Sequence, residues 1–473
     1  MSSKIKKLYL FLISIVLLVF IFKTQIKTSI KSIISPELYQ RASFIKKLAF
    51  NQDFGFYKWE EVLEKNNLNI IDFIDEQDFS FDVKRIIKNI GETDLSIYRL
   101  PPIFPAVGHN ELNGSYIDIY GDNIIYSTKN GIFFNIEKNN TNLTFTPIKS
   151  NIAEFFIRKQ KEKNASINYF NPYTISKFGI KDILVNNENI YVSYIENIDN
   201  KGYNTSIIYS LISDSLEFKK LFSSKNYINP NNEEFYPIQS GGRIVNFTKD
   251  SLLFSIGEYR DRLKAQDINN DNGKILSINK NDGGSRIVSM GHRNPQGLDY
   301  SPLYKYIIST DHGPSSGDEI NFTTNTEIVQ NFGWPISSYG YHYDTTNSMN
   351  DMHIANKKRV IKGAPLYKSH SEYGFAEPIK YYLKNPAVSE IRFINHEKNS
   401  PEFILSTLGY DTIQRPLARH LIHYKYDILN DTIILVKKYS VNERIRDIAF
   451  DAKLNKIYYV GESTGVIGEL SLD

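Results

Sequence analysis

The sequence predicts an all-β protein built as a six-bladed β-propeller, and three observations predict it. From about Tyr116 onward the chain consists of short β-branched and aromatic runs separated by Asn, Asp and Gly, with 32 Tyr and 29 Phe in the whole sequence to supply their bulk. One plan, an apolar run, a polar turn and a second apolar run, recurs six times. A single small sheet cannot bury both of its faces, so a repeated β-unit implies a radial or stacked arrangement. A pair of β-sandwiches is the alternative that periodicity leaves open.

The six units begin at Tyr116 (YIDIYGDNIIYST), Ile180 (IKDILVNNENIYVSYI), Gly241 (GGRIVNFTKDSLLFSIG), Gln296 (QGLDYSPLYKYIISTDHG), Ser389 (SEIRFINHEKNSPEFILST) and Ile445 (IRDIAFDAKLNKIYYVGE). The propeller is expected over residues 108–473. Ahead of it, residues 35–107 hold stretches such as YKWEEVLEKNNLNIIDFIDE, whose apolar positions recur at three and four, and read as a helical stalk or cap. Residues 1–34 contain Leu8 to Phe22, an almost unbroken apolar run preceded by Lys4, Lys6 and Lys7. That is a targeting segment. It is shorter than the roughly 20 residues of a full span, but flanking lysines can snorkel and lengthen it. No small-residue cleavage site follows, since the first alanine is Ala42. An uncleaved membrane anchor is expected, with the tail inside and the propeller exported to the periplasmic or extracellular side.

The formal net charge is +3, yet residues 1–34 carry six lysines and no acid, which leaves 50 basic against 53 acidic groups in the remainder. A body so balanced lacks the basic footprint of a nucleic-acid binder. Cysteine is absent. That excludes thiol catalysis, iron–sulfur clusters, cysteine-ligated zinc and disulfides, and it permits an oxidising compartment.

The densest cluster of chemically useful residues runs from Gly291 to Phe322 (GHRNPQGLDYSPLYKYIISTDHGPSSGDEINF), followed by NFGWP at Asn331 to Pro335. Polar side chains beside Gly and Pro at a strand entrance sit on loops of fixed shape, where function concentrates. Arg293, Asn294 and Gln296 offer a planar cationic fork and two amides, suited to an anion with carboxylate or quinone oxygens. They could equally serve ion pairs and turn caps. Asp311, Asp318 and Glu319, with the Gly313 and Pro314 carbonyls between them, offer hard oxygen ligands of the kind calcium takes. Arg444 and Arg446 in NERIRDI share one face of a strand by period-two alternation and need an anion, from ligand or protein, while Glu443 and Asp447 fall on the other face.

These residues resemble the glucose/sorbosone dehydrogenase family, soluble pyrroloquinoline-quinone (PQQ) dependent aldose dehydrogenases that are six-bladed propellers with calcium. GHRNPQGL, DHGPSSGDEIN, NFGWP and RIRDI occur in the family's order and approximate spacing, and GGRIVNF and AQDINNDNGKILSIN are fainter matches. The resemblance implies that Arg293, Asn294, Gln296 and Tyr343 contact the cofactor, with Arg293 at the active site, and that Arg444 and Arg446 bind its carboxylates. It implies that Gly313 and Pro314 give carbonyls to a calcium at the quinone, and that Glu319 and the Phe332 carbonyl hold a second, structural calcium. The implied substrate is a small sugar or alcohol, oxidised by hydride transfer to the quinone.

The sequence departs from the family at three residues, and also by extra residues between Glu319 and Phe332. The family's general base, a histidine four residues before the arginine of the GGR motif, is Gln239 here. A cofactor-binding glutamine is replaced by Lys177, and a carboxylate-binding lysine aligns with Gly409. Glutamine cannot accept a proton, so substitute bases come down to His292, His312, Glu233 and Glu234. A propeller that keeps the scaffold as a non-catalytic binding module is the alternative reading.

Overall fold

The computed structural model describes residues 80–472 except 91–92, 101–113, 130, 140, 153, 156–178, 199–200, 230–235, 315, 341–365, 368–369, 396–399, 410–411 and 414. Each of the six repeated units opens an antiparallel sheet whose strands run outward in chain order. Blade 1 contains Ser115–Tyr120, Asn123–Thr128, Phe133–Lys138 and Asn142–Ser150. Blade 2 contains Ile180–Asn186, Asn189–Ile198, Gly202–Leu211 and Lys219–Phe222. Blade 3 contains Gly241–Thr248, Ser251–Ile256, Lys274–Asn279 and Ser285–Met290. Blade 4 contains Pro295–Ser301, Tyr306–Asp311, Asp318–Thr323 and Lys380–Tyr382. Blade 5 contains Val388–Asn395, Glu402–Thr407, His420–Asp427 and Thr432–Ser440.

Blade 6 takes three strands from the C-terminus, Ile445–Asp451, Lys456–Gly461 and Val466–Ser471, and its fourth from the other end of the chain. Thr93–Arg99 pairs antiparallel with Val466–Ser471, placing Ile97 opposite Gly468 and Tyr98 opposite Ile467. Phe81–Ile90 then folds back on Thr93–Arg99 and joins the outermost strand of blade 1, with Val83 opposite Leu143. The expected helical stalk over 35–107 is therefore corrected over its described C-terminal part, which is a β-hairpin. The reason is the ring itself: the last blade of a closed circle has an open edge, and an edge strand binds whatever segment can complete its ladder. The helix-like stretch upstream and the apolar run of residues 8–22 lie outside the described residues, and among the described residues no helix is long and apolar enough to cross a membrane.

The first strands of the blades touch in cyclic order, and that of blade 6 lies against that of blade 1. Between adjacent blades the outward alternation of apolar residues builds a dry layer. Tyr191 and Ile207 of blade 2 pack with Phe254 of blade 3, and Phe322 of blade 4 meets Phe403 of blade 5 edge-on with ring centroids 6.2 Å apart. Such pairs hold the sheets face to face and leave their inner edges around a central axis.

Candidate functional site

The inner strands are not regular, and their irregularity builds the site. A β-bulge interrupts five of the six, at Ile180/Asp182, Gly241/Ile244, Pro295/Gly297, Val388/Ile391 and Ile445/Asp447. A bulge adds an unpaired residue and re-aims its neighbours. At these bulges, Asp182, Glu390 and Asp447 bring carboxylate oxygens within 4.8 Å of one another, and Arg243 of blade 3 lies among them. Its Nη1 is 2.9 Å from Asp182 Oδ1 and 2.7 Å from Asp447 Oδ1, and its Nε is 2.5 Å from Glu390 Oε2. Asp182 and Asp447 use their second oxygens to accept the Ile244 and Ile117 amides of neighbouring blades. Burial pushes the carboxyls of Asp182 and Glu390 up, Glu390 to about 7, against the pull of Arg243. This cluster is a hub that ties the blades together. The sequence carries a signal for it, an acid before an isoleucine at one place in units 2, 5 and 6, with arginine there in unit 3.

Above the hub the predicted residues meet. Arg446 Nη1 donates to Gln296 Oε1 at 3.0 Å, and Gln296 Nε2 donates to Asn294 Oδ1 at 2.9 Å. The backbone amides of Arg293 and Asn294 are held by Asp311, at 2.9 and 2.6 Å. Arg293 donates from Nη1 to the His312 carbonyl at 2.9 Å and lies over the Trp334 ring. The His312 imidazole is depressed to about 3 by burial first, then by Arg293 and Arg446 together, against the opposing pull of Asp311. Two guanidiniums from widely separated parts of the chain thus act on one ring, which stays neutral. A small polar cavity opens beside Arg293, lined also by Asp311, His312, Glu319, Trp334 and His370.

The anion that Arg444 and Arg446 require is partly internal. Glu462, in the turn after Lys456–Gly461, lies 2.5 Å from Arg446 Nε and 3.4 Å from Arg444 Nη2. Sequence alternation missed this acid because it is not on their strand. It also placed Asp447 apart from Arg446 without reckoning on the bulge that breaks the period at that point. Glu443 instead accepts from the Thr464 hydroxyl at 2.7 Å.

Gln239 is buried. With its amide oriented to satisfy both ends, the oxygen accepts from Arg293 Nη2 at 2.7 Å and the nitrogen donates to Glu258 Oε1 at 2.6 Å. Glu258 is the acid that sequence reading overlooked. It is wholly buried, its Oε2 has no hydrogen-bond partner among the described residues, and burial raises its carboxyl to about 7 although Arg293 and Arg262 oppose the shift. A carboxyl raised above its ordinary 4.5 contributes most to stability at low pH and loses that contribution as pH rises through 7. Glu258→Gln is expected to gain melting temperature on the native protein as pH goes from about 5 to 8. Parallel melting curves across that range would contradict this.

His292 is also fully buried, 2.8 Å from the Ser289 hydroxyl and 3.3 Å from Asp311. Gly409 is closely packed: a Cβ there would meet Ala418 at 2.6 Å and the Pro386 carbonyl at 2.8 Å, so no lysine fits without a shift. Lys177, Tyr343, Glu233 and Glu234 lie outside the described residues.

A family model described as Glucose / Sorbosone dehydrogenase matches residues 156–467, more than half of the chain. The chain belongs to the glucose/sorbosone dehydrogenase family. It is 28% identical over 226 residues to the aldose sugar dehydrogenase YliI of Escherichia coli strain K12, a match covering 44% of this chain and 54% of that protein. It is 26% identical over 349 residues to quinoprotein glucose dehydrogenase B of Acinetobacter calcoaceticus, covering 59% and 71%. The chain thus spans about half the length of the first of these relatives. Its fold resembles the apo crystal structure of the soluble aldose sugar dehydrogenase from Escherichia coli, with TM-score 0.55 and 19% identity over 76% of this chain and 97% of that one.

The groups this family implies can be set against the side chains present. Arg293, Asn294, Gln296, Arg444 and Arg446 form a cationic and amide-bearing wall, the donor set a flat polycarboxylate such as PQQ requires, so PQQ fits. A calcium at the Gly313 and Pro314 carbonyls also fits. Gly313 lines the cavity beside Asp311 and Glu319, and its amide donates to the buried Asp318 at 3.0 Å, which sets the loop. At the second calcium's expected place a histidine packs against Glu319. Buried His370 places Nε2 3.2 Å from Glu319 Oε1, an ion-pair contact without hydrogen-bond alignment, and lies flat on the Tyr339 ring. Burial lowers this imidazole, but Glu319, Glu377 and the Phe332 carbonyl more than offset that and leave it raised. His370 therefore stands against the Glu319 carboxylate that the resemblance assigns to the metal.

Proposed function

We propose that this chain is a PQQ-dependent, sugar-oxidising dehydrogenase-like enzyme that oxidises a hydroxyl of a small aldose or alcohol with calcium assistance. The observation that carries the reading is the hydrogen-bonded chain from Arg446 through Gln296 to Asn294, whose neighbour Arg293 lines a polar cavity. PQQ, when bound, supplies the hydride acceptor and calcium polarises it. The chain's own residues do the rest. Arg293, Arg446, Gln296 and Asn294 would hold and orient the flat polyanion, with Arg293 facing the reacting end beside Trp334. Gly313 and Pro314 would give carbonyl oxygens to the calcium. His312 stays neutral, so it adds no repulsion to a cation. Gln239 stands where a base is needed and is bound at both ends, so proton removal is slow.

The same feature favours a second reading, a propeller that binds a sugar or a partner without turnover. Calorimetric titration of the full chain with PQQ plus calcium separates these from the start: saturable heat is expected, and no heat at about tens of micromolar would dispose of the cofactor. Dye-linked oxidation of any aldose by the loaded protein would then exclude the binding-module reading. Export, with residues 8–22 as anchor, completes the proposal and is supported by the leading lysines and the absence of cysteine.

A further inference from the structure

Blade 4 ends in Lys380–Tyr382, whose alternation sends neighbouring side chains to opposite faces of the sheet. Tyr382 turns inward, its hydroxyl 2.9 Å from that of Tyr424, and Lys380 Nζ lies over the same two rings. Tyr381 turns the other way and is 43% exposed. It stands opposite Glu319 in the ladder, and Glu319 lines the polar cavity. Tyr381 is also the outer end of a column. Its ring lies parallel to that of Tyr339, at 3° with centroids 3.9 Å apart, and Tyr339 lies on His370 at 13° and 5.1 Å. His370 lines the cavity together with Arg293 and Trp334. Stacked rings thus lead from the cavity wall to solvent.

We propose that the open face of Tyr381 is a docking site for a planar aromatic cation that serves as electron acceptor, seated as the next ring of this column. The PQQ reading supplies the source of the electrons, and the proposal rests on it there. Oxidation of one hydroxyl to a carbonyl releases two electrons and two protons. A phenazinium-type cation takes two electrons and one proton, a hydride equivalent, and becomes neutral, while the second proton passes to water. The column is held in register by its own bonds. Tyr339 donates its hydroxyl to Glu377 Oε2 at 2.5 Å, and Glu377 Oε1 accepts the Ser371 amide at 2.8 Å, which ties Tyr339 to the short turn that carries His370. Gly333, with φ +86°, leaves room for the inner ring, since a Cβ there would stand 3.1 Å from His370 Nδ1. Two carboxylates, Glu377 at the middle ring and Glu319 at the inner one, favour a cation over an anion beside the stack. An aromatic face attracts the same charge.

The test uses the full chain as native, Tyr381→Phe and Tyr381→Ser, with N-methylphenazinium as the probe. Calorimetric titration without PQQ or calcium is expected to show saturable binding, about threefold to thirtyfold weaker in Tyr381→Ser and near native in Tyr381→Phe, as for loss of a cation's aromatic face. In protein loaded with PQQ and calcium, the KM for the dye is expected to rise by the same factor in Tyr381→Ser, with no matching rise in the KM for the sugar. Absence of saturable binding to the native chain, equal binding by native and Tyr381→Ser, or a dye KM unmoved by the substitution would overturn the proposal. Tyr381-dependent dye binding by a chain that takes no PQQ would keep the docking site for a planar cation and remove the dehydrogenase reading.

Discussion

The Gln239→His protein, loaded with PQQ and calcium, is expected to oxidise an aldose about 10² to 10⁴ times faster than the native chain, the usual worth of a general base. Position 239 already has the surroundings of one. Glu258 Oε1 stands 2.6 Å from the amide nitrogen and would accept one imidazole N–H, fixing the tautomer and leaving the other nitrogen to take a proton. Glu258 would hold the resulting imidazolium as it now holds the amide, without new strain, since the residue is buried and its Oε2 is unpartnered among the described residues. Steady-state dye reduction at saturating sugar measures the effect. An unchanged rate, with PQQ bound at native affinity, would remove position 239 from the chemistry.

Arg243→Met is expected to cost about 3 to 5 kcal/mol of stability, the loss seen when one partner of a buried ion cluster is removed. Arg243 is 2% exposed and neutralises three carboxylates at 2.5 to 2.9 Å while donating to the Gln296 and Arg446 carbonyls at 2.6 and 2.7 Å. Methionine fills much of the space but leaves Asp182, Glu390 and Asp447 facing one another in a dry centre, where their mutual repulsion falls on strands of three blades. Urea unfolding monitored by tryptophan fluorescence reads the difference. A loss below about 1 kcal/mol would mean that the hub's charges are solvated and that the ring is held by its apolar layers alone.

Much of the ring was legible because its signal is local. Each unit carries its own alternation and its own turn, and Gly and Pro mark the loop of residues 291–297 without help from the rest of the chain. The N-terminal hairpin was not legible for the opposite reason. TDLSIYR is a strand because Val466–Ser471 offers it an edge across the whole length of the chain, and with both faces covered Leu95, Ser96, Ile97 and Tyr98 are all buried, which erases the alternation. Glu462 and Glu258 read as ordinary turn and strand-end acids until folding sets them against Arg446 and Gln239.

What the sequence by itself determined is the class of fold, the loop that presents Arg293, Asn294 and Gln296, and the loss of a proton acceptor at Gln239, since these depend on residue type and neighbouring spacing. What only the tertiary structure decided is which charges face each other: Arg243 among three acids, Glu462 against Arg446, His370 against Glu319. Electrostatic energy depends on distance and burial in three dimensions. One-residue bulges, invisible to a period-two reading, set those distances at the axis.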